Sequence, residues 1–123
     1  MKTTAKLTDK MLKRLIETMD SPLATDVIQD IIDTSKEDRI NYIDDVIHHG
    51  CSSGIATGLI YYSDTQKFFD KHSDEIFELL EDYKDSYGEE FSNYKSGNRK
   101  NDLAWFAYET IMDKIANELE LEF

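Results

Sequence analysis

The chain has 123 residues and a mass of 14.3 kDa, the length of one domain. Hydrophobic residues make up 40% and charged residues 33%, enough apolar content for a core and too much charge for a membrane-spanning protein. Fourteen bases against twenty-six acids give a net charge of -12, which argues against direct binding to nucleic acid or to an anionic lipid surface.

The composition carries two further expectations. No run approaches the ~20 apolar residues of a spanning helix, and none follows the start Met1-Lys2-Thr3-Thr4-Ala5-Lys6 as a secretory signal would require. A single cysteine, Cys51, forms no internal disulfide, so the expected setting is the reducing cytoplasm of a host cell.

In chain order, apolar residues recur with a helical period rather than a period of two. Thr8 caps a first helix to about Met19, with Met11, Leu12, Leu15, Ile16 and Met19 on one side. Ser21-Pro22 restarts the helix, with serine as N-cap and proline at the first helical position, where its missing N–H costs nothing. This second helix buries Leu23, Val27, Ile28, Ile31 and Ile32. Thr34 or Ser35 caps a third, facing inward through Ile40, Ile43, Val46 and Ile47 and ending at Gly50. His48 and His49 lie in its last turn, where cationic imidazoles suit the helix dipole.

Gly50, Gly54 and Gly58 follow at four-residue spacing, which predicts a buried central helix, with a short strand at 59–62 as the alternative. Asp64 caps a short helix through Phe68 and Phe69. Ser73 caps a longer one through Ile76, Phe77, Leu79, Leu80, Tyr83 and Tyr87 to Gly88. A polar loop then precedes a last helix capped by Asn101 or Asp102, with Leu103, Phe106, Ile111, Ile115 and Leu119 as its apolar side. The aromatic cluster of Tyr61, Tyr62, Phe68, Phe69, Trp105, Phe106 and Tyr108 reads as core and its rim. The expected fold is all-α, a single-domain bundle of about six helices over residues 1–123.

Charge is unevenly spread. Residues 1–19 carry five bases against two acids, so the first helix (about 8–19) is a basic element that could engage nucleic acid or a partner of its own. The rest holds nine bases against twenty-four acids. Asp74, Glu78, Glu81, Asp82, Asp85 and Glu89 follow three- and four-residue steps, a line of carboxylates opposite the apolar face. Asp26, Asp30 and Asp33 form a second line. Like charges at this spacing destabilise a helix by a few tenths of a kcal/mol per pair, roughly, unless a partner of opposite charge relieves them.

Conventional catalytic groups are few. His48, His49, Cys51 and His72 lack the repeated two-ligand unit of a zinc site. The segment Gly50-Cys51-Ser52-Ser53-Gly54 lacks the lysine and spacing of a phosphate-binding loop. No cofactor, metal or catalytic residue is therefore expected, and an enzyme or metal protein centred on Cys51, His48, His49 and His72 is the lesser alternative.

The segments His49-Gly50-Cys51-Ser52-Ser53-Gly54, Leu59-Ile60-Tyr61-Tyr62-Ser63-Asp64-Thr65, Phe68-Phe69-Asp70-Lys71-His72, Asp74-Glu75-Ile76 and Asn101-Asp102-Leu103-Ala104-Trp105-Phe106 resemble a family of small phage- and plasmid-borne proteins. The basic first helix and the second helix lie outside this resemblance, which implies an added module. The resemblance implies a setting among accessory genes of mobile elements, where small acidic inhibitors of restriction and CRISPR nucleases are common. Charge and resemblance together lead to the expectation of a non-enzymatic inhibitor, an anti-CRISPR or anti-restriction factor. Its acidic surface would occupy, as a DNA mimic, the groove of a basic nucleic-acid-binding protein such as a host Cas protein or restriction enzyme. An immunity protein or antitoxin neutralising a cognate toxin is the alternative of the same chemistry.

Overall fold

A computed structural model of the chain describes residues 7–49, 62–81 and 99–121. Those residues form five α-helices and one 3-10 turn, with no strand among them: α1 (Asp9–Met19), α2 (Pro22–Asp33), the turn Lys36–Asp38, α3 (Arg39–His49), α4 (Tyr62–Leu79) and α5 (Arg99–Glu118). The fold is all-α as expected, with five α-helices described in place of about six. The expected central helix after Gly50 and residues 59–61 of the possible strand lie outside the described residues, and Tyr62 of that strand is the first residue of α4.

The first two helices begin where local chemistry places them. The Thr8 side chain accepts from the Met11 N–H at 3.2 Å, which satisfies one of the donors a helix start leaves open. Asp20 closes α1 in the left-handed region (φ 47, ψ 51), its N–H donating to the Ile16 carbonyl at 3.1 Å. Ser21 then caps α2 through the Ala24 N–H at 3.1 Å, with Pro22 at the first position.

Several boundaries differ from expectation, and Asp64, expected as a cap, lies inside α4, which begins at Tyr62. The Thr34–Ser35 break leads into a 3-10 turn rather than directly into α3, with Ser35 Oγ donating to Asp38 Oδ2 at 2.8 Å. The break expected at Ser73 is a kink inside one helix: His72 leaves helical geometry (φ -120, ψ 21) and α4 continues to Leu79. That helix stops short of the expected Tyr83 and Tyr87, which lie outside the described residues. The last helix takes in Asn101 and Asp102 and starts at Arg99, because an acidic residue suits a first helical turn as well as a cap.

Helix α2 contacts all four other helices and is the centre of the bundle. Its Leu23, Ala24, Val27, Ile28 and Ile31 are fully buried, joined by Leu12 and Leu15 of α1, Ile43 and Val46 of α3, Ile76 of α4 and Leu103, Met112 and Ile115 of α5. Ile32, Ile40 and Ile47, expected inside, are only partly buried. The basic α1 thus shares the core of the other helices.

Arg39 is almost wholly buried at the first position of α3, and it ties the ends of two helices together. Its Nε donates to the Ile31 and Thr34 carbonyls (3.1 and 3.3 Å), and Nη2 to the Ile32 carbonyl at 2.7 Å. These carbonyls lie at the C-terminus of α2, where a helix leaves its last acceptors without the usual intrahelical donors. Nη1 donates to the Leu7 carbonyl at 2.5 Å and Nη2 to Asp9 Oδ1 at 2.6 Å, which anchors the start of α1. The planar fork of a guanidinium reaches all these acceptors at once, as a lysine ammonium could not. The hydrogen bond from Arg39 holds the Asp9 carboxyl below its usual range against an opposing desolvation, with the charges of Arg39, Lys36 and Lys13 adding to the lowering.

Candidate functional site

The acids expected to form two outward lines separate into distinct groups. Asp26 and Asp30 stand one turn apart on α2, and both are half-buried and engaged by side chains of other helices. Asp26 Oδ2 accepts from Lys71 Nζ at 2.9 Å and from His72 Nε2 at 2.6 Å, both at the kink of α4. Burial raises the Asp26 carboxyl, but the Lys71 and His72 hydrogen bonds outweigh it, and the group sits below its usual range. The His72 ring is sealed from solvent and lies against Phe68, with centroids 5.0 Å apart.

Phe68 in turn meets Tyr108 edge-on at 5.6 Å, which joins this cluster to a second one. Tyr108 donates its hydroxyl to Asp30 Oδ2 at 2.7 Å. Tyr108 also shares a short hydrogen bond with the Tyr42 hydroxyl; since its own proton goes to Asp30, Tyr42 is the donor. Burial pushes both phenols well above their ordinary value, and the nearby Asp30 charge raises them further by opposing a phenolate. Trp105 stacks on Tyr108 at 5.5 Å and donates Nε1–H to Glu109 at 2.9 Å. No buried side-chain nitrogen or oxygen among the described residues lacks a partner. This seam joins α2 to α3, α4 and α5 and fixes how they meet.

In the second acid line Asp26 and Asp30 are half-buried and held by side chains of α4 and α5, whereas Asp33 is exposed, accepting from Gln29 Nε2 at 3.1 Å. The physical reason is the central place of α2. Four-residue spacing puts the acids on one face, and in this bundle other helices cover that face.

The line on α4 divides differently. Asp74, Glu78 and Glu81 are exposed, and no ion pair engages them among the described residues. Glu75, one residue from the row, turns inward. Its carboxylate accepts the Ser21 hydroxyl, and Oε1 accepts the Leu23 N–H at 3.0 Å, so an α4 side chain reinforces the cap of α2. Asp82, Asp85 and Glu89 lie outside the described residues. Toward the start of α4, exposed Lys67 and Lys71 mix the charge, and the uniform acidic stretch begins after the kink.

The alternative metal or catalytic set does not assemble among the described residues. His48 is exposed and paired with Asp44 at 2.7 Å, whereas His72 is buried against Asp26. No three metal-binding side chains converge there. Cys51 and the His49 side chain lie outside the described residues. No helix among the described residues is long and apolar enough to cross a membrane.

Sequence reasoning missed Arg39, Glu75 and the Tyr42–Tyr108–Asp30 chain. A signal was present for part of this. Arg39, Tyr42, Ile43 and Val46 share one helical face, and a polar residue on an apolar face asks for a buried partner.

These features define an all-helical bundle with a satisfied polar seam inside and a short row of carboxylates outside. The chain belongs to a family described as a domain of unknown function, DUF7222, whose model matches residues 8–121. The match begins at Thr8, so α1 and α2 lie within the span of that domain. No curated protein and no solved structure matches the chain.

Proposed function

We propose that the protein is a non-enzymatic inhibitor of a nucleic-acid-directed host defence protein, an anti-CRISPR or anti-restriction factor. It acts by seating a carboxylate row in a cationic groove. The observation that carries this reading is the row Asp74 and Glu78 on α4 and Glu81 two residues past its end, all exposed and without an ion pair among the described residues. At ~1.5 Å per residue the step from Asp74 to Glu78 along α4 is about 6 Å. Such a row suits a groove lined with lysine and arginine, and the net charge of -12 speeds encounter with it. Asp26 and Asp30 are no part of this surface, because the chain's own Lys71, His72 and Tyr108 occupy them.

The test is the triple reversal Asp74→Lys, Glu78→Lys and Glu81→Lys. Rim ion pairs contribute about 0.5 kcal/mol each, and reversal replaces three attractions by three repulsions. The expected loss is about 3 kcal/mol, on the order of a hundredfold in Kd. Inhibition should also weaken as salt rises, since screening acts over ~10 Å at 0.1 M. Undiminished inhibition by a folded triple variant refutes the mechanism.

A further inference from the structure

A second surface stands apart from the acidic row, so an inference drawn from it does not rest on the reading above. Helix α1 carries Lys10, Lys13 and Arg14 on its exposed side, none of them in a salt bridge among the described residues. Met11, at 42% exposure, is the exposed large hydrophobic residue among those described. Lys10, Met11, Arg14 and Leu15 border a groove of 310 Å³ closed on the far side by Glu118 and Leu119 at the end of α5.

Elsewhere the described surface keeps its large apolar side chains covered, so an apolar floor beneath a basic rim calls for an explanation. We propose that this groove is a docking site for an acidic amphipathic segment of a partner protein. One apolar side chain of that segment would rest against Met11, Leu15 and Leu119, and its carboxylates would meet Lys10, Lys13 and Arg14.

Three observations fix the occupant. The volume lies near the lower end of pockets that hold small ligands, ~300 Å³, and so admits a side chain or two rather than a domain. Methionine adapts its shape to an incoming apolar group and recurs at binding grooves for amphipathic helices. Glu118 on the α5 rim repels carboxylates and so sets the orientation, placing the acidic side of the segment over α1.

Two other occupants fit less well. A phosphate backbone gains nothing from the apolar floor of Met11, Leu15 and Leu119, which an amphipathic segment can cover. A second copy of this chain would offer Asp74, Glu78 and Glu81, but no exposed large apolar residue accompanies that row among the described residues.

The probe is a synthetic labelled helical peptide with two leucines four residues apart and glutamates along one flank, titrated with the full chain by fluorescence anisotropy. Saturable binding is expected, weakened at least tenfold by the double reversal Lys10→Glu and Arg14→Glu and, separately, by Met11→Ser. All three positions are exposed, so circular dichroism should show unchanged helix content. Sedimentation at the same concentrations is expected to show a single copy. The proposal is overturned by absent binding, by equal affinity for the peptide with glutamine in place of glutamate, by unchanged binding in the variants, by equal affinity for an oligothymidylate, or by self-association lost in the double reversal.

Discussion

Replacing Arg39 with alanine is the severest single change the structure identifies. The guanidinium supplies the Leu7, Ile31, Ile32 and Thr34 carbonyls and Asp9 from within the core. The Ile31 carbonyl retains the Thr34 N–H at 3.1 Å, so Leu7 and Ile32 are the acceptors that suffer most. A buried acceptor left without a donor costs about 1–3 kcal/mol, and two of them together with the lost charge-assisted bonds bring Arg39→Ala to about 3–5 kcal/mol. A domain of this size has on the order of 5–15 kcal/mol in total, so a large share of its stability is at stake. Urea unfolding followed by circular dichroism at 222 nm measures the change. Arg39→Lys should fall between wild type and alanine, because one ammonium cannot span both helix ends. Arg14→Ala, exposed on α1, should stay within about 0.5 kcal/mol. A loss below about 1 kcal/mol for Arg39→Ala would refute the reasoning and mean that water serves these carbonyls equally well.

Further outcomes follow from the seam and from the α2 cap. Glu75→Ala should destabilise the fold by about 1–2 kcal/mol through the lost cap, whereas Glu78→Ala, one turn on and exposed, should leave the urea midpoint unchanged. Two of the seven tyrosines, Tyr42 and Tyr108, should resist ionisation at pH 11 in the folded protein and titrate once urea unfolds it, as read by absorbance at 295 nm. Glu109→Gln should stabilise the protein at pH 7 but not at pH 4. Burial raises the Glu109 carboxyl above its usual 4.5 against the opposing Trp105 hydrogen bond, so below that value it is neutral in both folded and unfolded chains. As pH climbs through the folded value, the folded chain must hold a half-buried carboxylate and stability falls, a loss that glutamine avoids. Equal midpoints for Glu109→Gln and wild type at pH 7 would count against this.

What could be read from the sequence was local. Thr8 and Ser21-Pro22 mark helix starts through bonds to residues three positions away, and both boundaries appear as expected. The signal at Ser73 was also physical, but chain continuity across His72 turns it into a kink because Phe68 and Asp26 hold the imidazole on either side. Long-range matters were hidden. Helical period says that Asp26 and Asp30 share a face, not that α4 and α5 cover it. Arg39 reaches Leu7 across 32 positions, and Glu75 reaches Ser21 across 54. The same gap separates Glu75 from Asp74 and Glu78: three neighbouring acids look alike in sequence, and only packing assigns one to the fold and two to the surface.

The most direct measurement is plasmid survival in cells that carry a DNA-directed nuclease system, with this protein or its triple reversal at Asp74, Glu78 and Glu81 expressed in trans. Survival raised by the native chain and returned to the unprotected level by a reversal of native helicity is the expected result. Equal protection from both proteins, or none from the native chain, would contradict the claim that these carboxylates are its working surface.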